Sequence, residues 1–200
     1  MKTTETMSSK FEHRMMEHWT GKLDLHGSRS LASGWRQLEQ SVRSIEEGSD
    51  KWLVVQLPTG SGKTEALKML SAMPDRLDHP GALIVTKFRD EADKIAAGIN
   101  EQAGWTVAVS DHLMSRGDMS EIGFRPVLVT TQAAYRLSLQ EIANTGLRTK
   151  SNRLLAFCGG RRSWLIIDEA FEWADCHSIN VGNMRAMFGD LSRAMSDELR

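Results

Sequence analysis

Residues 52–64 read Trp-Leu-Val-Val-Gln-Leu-Pro-Thr-Gly-Ser-Gly-Lys-Thr, and this stretch decides the fold. Its first four residues are large and apolar, which predicts a short buried strand at residues 52–55. A turn with two glycines follows, and residues 65–73 are good helix formers that stop at Pro74. The stretch therefore predicts a strand, a tight glycine-rich loop and a helix in direct succession.

The glycine-rich loop has the composition of a phosphate-binding loop. Gly60 and Gly62 permit the backbone angles that turn several amide N–H groups toward one anion. Lys63 adds a mobile positive charge, and the Thr64 hydroxyl at the start of the helix is placed to reach a magnesium ion. Together with Ser61 between the glycines, these residues are the predicted binding positions for ATP and Mg²⁺.

A second motif follows another apolar run. Residues 164–167 predict a buried strand, and Asp168 and Glu169 come directly after it. A carboxylate at the mouth of such a strand is placed to hold magnesium, and its neighbour is placed to activate an attacking water. We therefore predict Thr64 and Asp168 as metal ligands, and Lys63 and Glu169 as catalytic residues of ATP hydrolysis. An acidic pair at a helix start is the competing interpretation of the second motif.

Between the two motifs, short apolar runs alternate with helical patterns. Strands are predicted at residues 82–86, 105–109 and 127–130, and helices at residues 90–100 and 133–142. Strands that alternate with helices form βαβ units, which predict an α/β fold with a mostly parallel sheet flanked by helices. Function is then expected at the carboxyl ends of the strands.

The amino-terminal part of the chain has a different pattern. Residues 1–33 mix charges, aromatic residues and Gly/Ser pairs without a sustained period, and we interpret them as an extension of unknown role. A short amphipathic helix is predicted at about residues 10–19, and a linker at residues 27–34. Apolar residues at spacings of three and four then predict a helix over residues 35–48, which begins the nucleotide-binding domain at residues 34–200.

Composition limits the functional classes. The chain has 200 residues, 40% of them hydrophobic, which is enough for the core of one ordinary α/β domain. The formal net charge of −1 excludes a global basic field, so a polyanion must bind to a local patch. Cys158 and Cys176 have no metal-ligand spacing, which predicts a reducing, cytoplasmic location without a structural metal. The apolar runs are too short for a membrane span.

Residues 58–64 and 168–171 together resemble motifs I and II of the first motor domain of helicase superfamily two, the DEAD/DEAH-like nucleic-acid-dependent ATPases. The loop matches the Pro-Thr-Gly-Ser-Gly-Lys-Thr subtype, with Leu57 where the general phosphate-loop pattern has glycine. Phe171 departs from the family, which has Asp or His there to couple the ATP state to the motor. The resemblance covers residues 35–174, and it implies a RecA-like domain that couples Mg-ATP hydrolysis to movement on DNA or RNA.

The resemblance also implies contacts with nucleic acid and adenine. Two strand ends are similar to family segments that touch the nucleic-acid backbone, and their candidate residues are Thr86, Lys87, Arg89, Thr130, Thr131 and Gln132. Gln40 lies about as far before the loop as the glutamine that contacts adenine in relatives, and Gln37 competes for that role. A stretch without acidic residues is a candidate phosphate patch or else a solvated loop. Its cations are Arg148, Lys150, Arg153, Arg161 and Arg162.

In that family a further strand with a Ser-Ala-Thr-like motif follows motif II, and a second RecA-like motor domain follows that strand. Residues 170–200 contain no such apolar run, so we expect the domain to be incomplete at its carboxyl end, as an amino-terminal piece or a truncated product of a larger motor. The family places that strand between the loop strand and the strand that ends at Asp168. Without it, we expect unpaired backbone groups on both neighbours, low stability and weak activity.

Two other functions share these motifs. A phage-type packaging ATPase, or another P-loop NTPase, has the same loop and acidic pair with different coupling elements. A non-hydrolysing ATP-binding interaction module has the loop without catalysis, although the presence of both Lys63 and Glu169 argues against it. A helicase or translocase ATPase is the function that we predict.

Overall fold

The computed structural model describes residues 7–22, 29–46, 54–73, 79–111, 120–146 and 149–169. Predicted positions at Trp52, Leu53 and Arg148, and all those from residue 170 onward, including Phe171, lie outside these ranges. No helix of the described part is long and apolar enough to cross a membrane.

Helices come first in the described part of the chain and then alternate with strands. The helices are α1 (Met7–Glu17), α2 (Arg29–Glu46), α3 (Lys63–Ala72), α4 (Arg89–Ala103), α5 (Ser120–Phe124), α6 (Gln132–Thr145) and α7 (Thr149–Leu155). A π-helical turn, His18–Lys22, continues α1. The strands are β1 (Ala82–Thr86), β2 (Ala108–Ser110), β3 (Val127–Thr131), β4 (Ala156–Phe157), β5 (Gly160–Arg161) and β6 (Trp164–Ile167).

Four strands form one sheet in the order β2-β3-β1-β6, and every neighbouring pair is parallel. In register, Ile84 of β1 lies opposite Val129 of β3 and Ile166 of β6. The short strands β4 and β5 form a separate antiparallel pair. The protein is therefore an α/β protein with a parallel sheet flanked by helices, as the sequence predicts.

One face of the sheet packs against α3 and α4. Because side chains alternate between the two faces of a strand, Ala82 and Ile84 share this face with Val127 and Val129. They meet apolar residues of the two helices, namely Leu67, Ala72, Ala92, Ile95, Ala96 and Ile99. We call this group the sheet cluster.

The other face of the sheet is covered by α6, which contacts β1 and β3. The connection from β1 through α4 to β2 and the connection from β3 through α6 to β6 run in opposite directions across the sheet. Right-handed crossovers in opposite directions place their helices on opposite faces. Leu83 and Leu128 of the central strands are accordingly fully buried.

A second cluster lies between α1, α2 and α3. Its buried members come from these helices and from the π-helical turn, and they are Phe11, Met15, Trp19, Trp35, Ala66, Met69 and Leu70. We call this group the loop cluster, because α3 continues directly from the glycine-rich loop. The segment predicted as an extension therefore shares a core with the loop helix.

The linker predicted at residues 27–34 is wrong from Arg29 onward, where α2 begins. Gly34 lies inside this helix, and a Cβ added there would be 2.6 Å from Cδ2 of Leu57. The glycine thus allows the helix to approach the start of the loop, which a Gly/Ser pattern alone does not distinguish from a linker. The helix predicted at residues 10–19 is confirmed as α1 and the π-helical turn.

The strand predicted before the loop is also wrong at its described positions. Val54 and Val55 are not in a strand, and Val54 is 80% exposed. Within the described residues β6 pairs with β1 alone, so its other edge has no neighbour. A strand needs such a neighbour for its N–H and C=O groups. This gives a physical reason why Val54 and Val55, predicted as part of the strand before the loop, do not form one.

The other predicted elements follow the sequence closely, whereas α5, α7, β4 and β5 have no counterpart among the predictions. The strands at residues 82–86 and 164–167 have their predicted bounds, and α4 and α6 differ from prediction by one to three residues at each end. β2 begins later than predicted, at Ala108, because the Asn100 side chain binds backbone N–H groups at this point of the chain. Its Oδ1 accepts hydrogen bonds from the N–H groups of Val107 and Ala108, at 2.8 and 2.7 Å.

Candidate functional site

The glycine-rich loop is built on two left-handed residues. Gly60 has a φ of 78° and Gly62 a φ of 74°, values that residues with a Cβ rarely adopt. The Ser61 N–H donates to the Pro58 carbonyl at 3.2 Å and closes the turn. The Gly62 carbonyl then accepts from the Ala66 N–H at 2.8 Å. The loop thus passes directly into the amino terminus of a helix, where free amides and the helix dipole favour an anion.

Lys63 is the first residue of α3, and it is exposed. Its Nζ donates to the carbonyl oxygen of Leu57 at 3.0 Å, which folds the side chain back along the loop. A charged phosphate oxygen is a stronger acceptor for an ammonium group than a neutral carbonyl. The ammonium group is therefore positioned at the loop and held by a contact that a phosphate can replace.

The two sequence motifs meet at Thr64 and Asp168. The Asp168 N–H donates to the Val85 carbonyl at 2.9 Å, so the sheet fixes the backbone of Asp168 just beyond β6. Thr64 Oγ1 donates to Asp168 Oδ2 at 3.4 Å, although the two residues are 104 positions apart. The structure thus brings together the two residues predicted as metal ligands.

Burial raises the pKa of the Asp168 carboxyl, and the negative charges of Glu91 and Glu169 raise it further. The hydrogen bond from Thr64 and the positive charge of Lys63 lower this pKa, but they have the smaller effect. The ionised form of Asp168 is therefore not fully compensated by the protein. A divalent cation beside the carboxylate would favour that form, because opposite charge stabilises it.

Magnesium fits this arrangement through the chemistry of the donor atoms. Mg²⁺ binds hard oxygen ligands, keeps several waters and in phosphate sites uses only one or two protein carboxylates. Thr64 and Asp168 supply a hydroxyl and a carboxylate side by side. No group of three His, Cys, Asp or Glu side chains with metal-binding geometry occurs among the described residues. The other ligands would be phosphate oxygens and water.

Glu169 adjoins the metal candidate Asp168, and its side chain is exposed. Its φ is 77°, which makes it the one non-glycine residue with a positive φ in the described part of the chain. A side chain in this region costs about 1–3 kcal/mol, and such strain concentrates at functional sites. The backbone strain falls on the residue that the sequence predicts to be the general base.

Two predicted nucleic-acid residues, Thr86 and Thr130, are fully buried near the ends of β1 and β3. The Thr86 hydroxyl donates to Glu91, and the Thr130 hydroxyl donates to Asp111. Both hydroxyls are thus occupied inside the domain by carboxylates that no sequence pattern connected to them.

The other four predicted nucleic-acid residues divide into two pairs. Thr131 is the last residue of β3 and Gln132 is the first residue of α6, and each is 9% exposed. Thr131 Oγ1 accepts a hydrogen bond from a backbone N–H of the first turn at 3.3 Å, which makes Thr131 the N-cap of the helix. Lys87 and Arg89 are exposed, and Phe88 between them is 61% exposed. Of the six residues, these two present charged groups to solvent.

The candidates for the predicted adenine contact lie on α2. Gln40 and its alternative Gln37 are both exposed on α2, and no hydrogen bond joins either side chain to the loop residues that the structure describes. α2 touches the loop through Trp35 instead, whose Nε1 donates to the Ser61 carbonyl at 3.1 Å.

Arg162 corrects the predicted basic patch, because it is only 5% exposed. Its guanidinium donates to six carbonyl oxygens, those of Ile122, Arg125, Pro126, Arg153, Leu154 and Ala156. Burial lowers its pKa to about 10, so the group stays charged at neutral pH. Arg153 and Arg161 are exposed, whereas Arg148 and the side chain of Lys150 lie outside the described residues. Arg162 is therefore a structural residue and not part of a surface patch.

The chain matches no protein-family model, no curated protein and no solved structure with significance. The residues of the chain therefore carry the functional assignment. Foremost among them are the glycine-rich loop and the contact between Thr64 and Asp168.

Sequence patterns did not identify Glu91, Trp19 or Trp35 as parts of the site. Glu91 lies in the first turn of α4, and its charge acts on Asp168. Its position in the first turn of the helix that follows β1, the strand that neighbours β6, is a signal that could have found it. The contact of Trp35 with Ser61 has no local signal, because the two residues are 26 positions apart.

Proposed function

We propose that this chain is an ATP-binding and ATP-hydrolysing motor domain, of RecA-like fold, of a DNA or RNA helicase or translocase. One observation carries the proposal: Thr64 at the start of the loop helix meets Asp168 at the end of β6, at 3.4 Å. A glycine-rich turn alone is common, and so is an acidic pair after a strand. Their meeting beside the amino terminus of α3 supports a magnesium nucleotide site.

In this proposal the loop and α3 bind the phosphates. The backbone N–H groups of Gly60 and of residues 62–64 surround the phosphate chain, and the helix dipole adds a partial positive charge. Lys63 exchanges the Leu57 carbonyl for a charged phosphate oxygen. The terminal phosphate is thereby held in one orientation, which lowers the entropic part of the barrier to hydrolysis.

Thr64 and Asp168 would hold the magnesium ion. When bound, magnesium neutralises the charge that develops on the phosphate oxygens during transfer. The cation would favour the ionised form of Asp168, which burial, Glu91 and Glu169 disfavour in the protein alone.

Glu169 acts as the base. It orients a water molecule for attack on the terminal phosphorus and accepts the proton that this water loses. A bond then forms between the water oxygen and phosphorus, and the bond from phosphorus to the ADP oxygen breaks. The exposed side chain of Glu169, next to a metal ligand, supports this role.

The exposed cations Lys87 and Arg89 at the carboxyl end of β1 support a nucleic-acid track. Contacts of Lys and Arg with phosphates position a strand without reading its bases, so DNA and RNA both suit this surface. Binding would weaken with salt, because phosphate contacts release counterions.

Calorimetric titration of the chain with Mg-ATP tests the nucleotide site. We expect binding in the wild type, a loss of at least about tenfold in affinity in Lys63→Ala, and no change in Lys94→Ala, an exposed lysine of α4. Unchanged binding in Lys63→Ala would remove the loop assignment. ATP turnover that single-stranded DNA and RNA both fail to stimulate would favour another P-loop NTPase, and absent turnover would favour a binding module.

A further inference from the structure

The carbonyl side of the phosphate loop is anchored by a tryptophan. Trp35 is fully buried, and its Nε1 donates to the carbonyl oxygen of Ser61 at 3.1 Å. Ser61 lies between the two left-handed glycines and is itself 3% exposed. The anchor thus acts on the middle of the loop, between the two residues with the greatest backbone freedom.

This hydrogen bond fixes the direction of a loop amide. The structure contains no cis peptide bond among its described residues, so the peptide between Ser61 and Gly62 is trans. In a trans peptide the C=O and N–H groups point in opposite directions within one plane. Because the Trp35 ring holds the Ser61 carbonyl, the Gly62 N–H must point away from Trp35.

A second tryptophan packs on the next residue of the loop. A Cβ added at Gly62 would lie 2.3 Å from Cζ3 and 3.1 Å from Cη2 of Trp19, so the indole ring lies directly against this glycine. Trp19 is 6% exposed, and its ring meets that of Trp35 edge to face, with centroids 5.5 Å apart and an interplanar angle of 62°. The two rings form one support behind the loop.

The element that carries Trp19 also approaches the loop helix through one polar side chain. Trp19 belongs to the π-helical turn, a rare form of helix that is frequent at functional sites. Its neighbour His18 lies 3.3 Å from a carboxylate oxygen of Glu65, in the first turn of α3. Glu65 also pairs with Lys68 at 2.6 Å. The Trp19 ring and the His18 side chain of this turn therefore both lie against the start of α3.

We propose that Trp35 and Trp19 are positioning residues of the nucleotide site, which hold the Ser61–Gly62 peptide so that its N–H faces the bound phosphate. The proposal rests on the ATP site proposed above. A loop with two glycines loses much conformational freedom when it closes on a ligand. Because the two tryptophans order the loop during folding, less of this entropy is lost when nucleotide binds, and affinity rises.

Trp35→Phe tests the anchor, because it keeps a buried aromatic ring and removes the donor. Trp164→Phe is the matched control: Trp164 is 3% exposed, and its Nε1 has no hydrogen-bond partner among the described residues. In Trp35→Phe without nucleotide, we expect amide hydrogen exchange in residues 60–64 to become about fivefold faster and the dissociation constant for Mg-ATP to rise about fivefold, as for the loss of one net hydrogen bond. Trp164→Phe should change neither quantity.

The outcomes separate this inference from the proposed function. A wild type that binds no Mg-ATP overturns the proposed function, whatever the variants do. A wild type that binds, with a Trp35→Phe variant of equal affinity and equal loop exchange, overturns the inference alone. If Trp35→Phe does not fold, the indole N–H resonance of Trp35 in the wild type decides: it should shift when Mg-ATP is added while that of Trp164 stays in place, and a Trp35 resonance that does not move contradicts the inference.

Discussion

The phosphate loop is supported from two sides that differ in chemistry. On the sheet side, Thr64 meets Asp168, a carboxylate whose ionised form is disfavoured by burial and by neighbouring acids. On the helix side, the loop rests on Trp19 and Trp35, which are buried in the loop cluster. The residues proposed to bind magnesium lie on the sheet side, and the apolar contacts lie on the helix side.

This difference separates what stabilises the fold from what binds the ligand. Burial of aromatic and aliphatic surface stabilises the protein whether or not a ligand is present. Carboxylates packed near one another repel, and they contribute to stability only when a cation compensates their charge. Substitutions on the helix side should therefore change folding first, and substitutions on the sheet side should change turnover and metal dependence first.

Glu169→Gln should have the largest effect, on turnover. Glutamine keeps the size of the side chain but cannot accept the proton of the attacking water, so kcat for ATP hydrolysis should fall by about 10²- to 10⁴-fold. Affinity for Mg-ATP and the free energy of unfolding should stay close to the wild type. Steady-state phosphate release and calorimetry measure the two quantities, and Glu101→Gln, at an exposed position of α4, is the control. Normal turnover in Glu169→Gln would take the role of base away from this residue.

Phe11→Ala should have the largest effect on stability. Phe11 is a fully buried member of the loop cluster, and truncation of a buried phenylalanine costs about 3–5 kcal/mol. Urea unfolding followed by circular dichroism measures this change. Phe88→Ala removes the same atoms at a position that is 61% exposed and should change the free energy of unfolding by less than about 0.5 kcal/mol. Equal effects of the two substitutions would show that the helix side does not stabilise the fold.

Arg162→Lys tests whether a buried charge lowers the stability of the protein in itself or only when its hydrogen-bond partners are missing. The guanidinium of Arg162 has six carbonyl acceptors, whereas a lysine ammonium has three donors and a different shape. Several buried carbonyls would lose their donor, so the free energy of unfolding should fall by about 2–3 kcal/mol. Arg161→Lys, at the exposed neighbouring position, should leave it within about 0.5 kcal/mol. A tolerated Arg162→Lys would mean that the carbonyl contacts contribute little.

The sheet side could be predicted largely from sequence, because its signals are local. Apolar runs at residues 82–86 and 164–167 predict buried strands wherever their neighbours lie, and Asp168 follows one of them. The loop is predicted by the glycines and the lysine within it. The strand expected at residues 52–55 depends on a partner strand, and no local pattern reports whether that partner is present.

The helix side and the buried polar contacts could not be predicted in this way. Trp19 and Gly62 are distant in sequence, and the aromatic residue carries no sign of which surface it will cover. Thr86 is a nucleic-acid candidate through the family resemblance, and Arg162 lies in a stretch predicted as either a phosphate patch or a solvated loop. Neither signal gives the direction of these two side chains. Their acceptors, a carboxylate and a set of backbone carbonyls, exist only in the folded protein.

Among these substitutions, Asp168→Asn should have the smallest effect. This effect is a change in Tm whose sign depends on whether magnesium and nucleotide are present. Burial, Glu91 and Glu169 raise the pKa of Asp168 in the folded protein, so the stability linked to its protonated form is complete below the unfolded pKa and is lost as pH rises through the folded pKa. At neutral pH without divalent cations, Asp168→Asn should therefore raise Tm, because it removes the disfavoured charge and keeps an acceptor for Thr64.

Thermal unfolding at pH 7.5, with EDTA or with magnesium and a nucleotide, measures this effect. Magnesium with nucleotide should raise the Tm of the wild type and should raise that of Asp168→Asn much less, so that the order of the two proteins reverses. Asp90→Asn, which removes an exposed carboxylate from the first turn of α4, should not raise Tm. If Asp168→Asn is instead less stable than the wild type in EDTA, the carboxylate stabilises the fold without a cation, and the two sides of the loop do not differ in the way their contacts indicate.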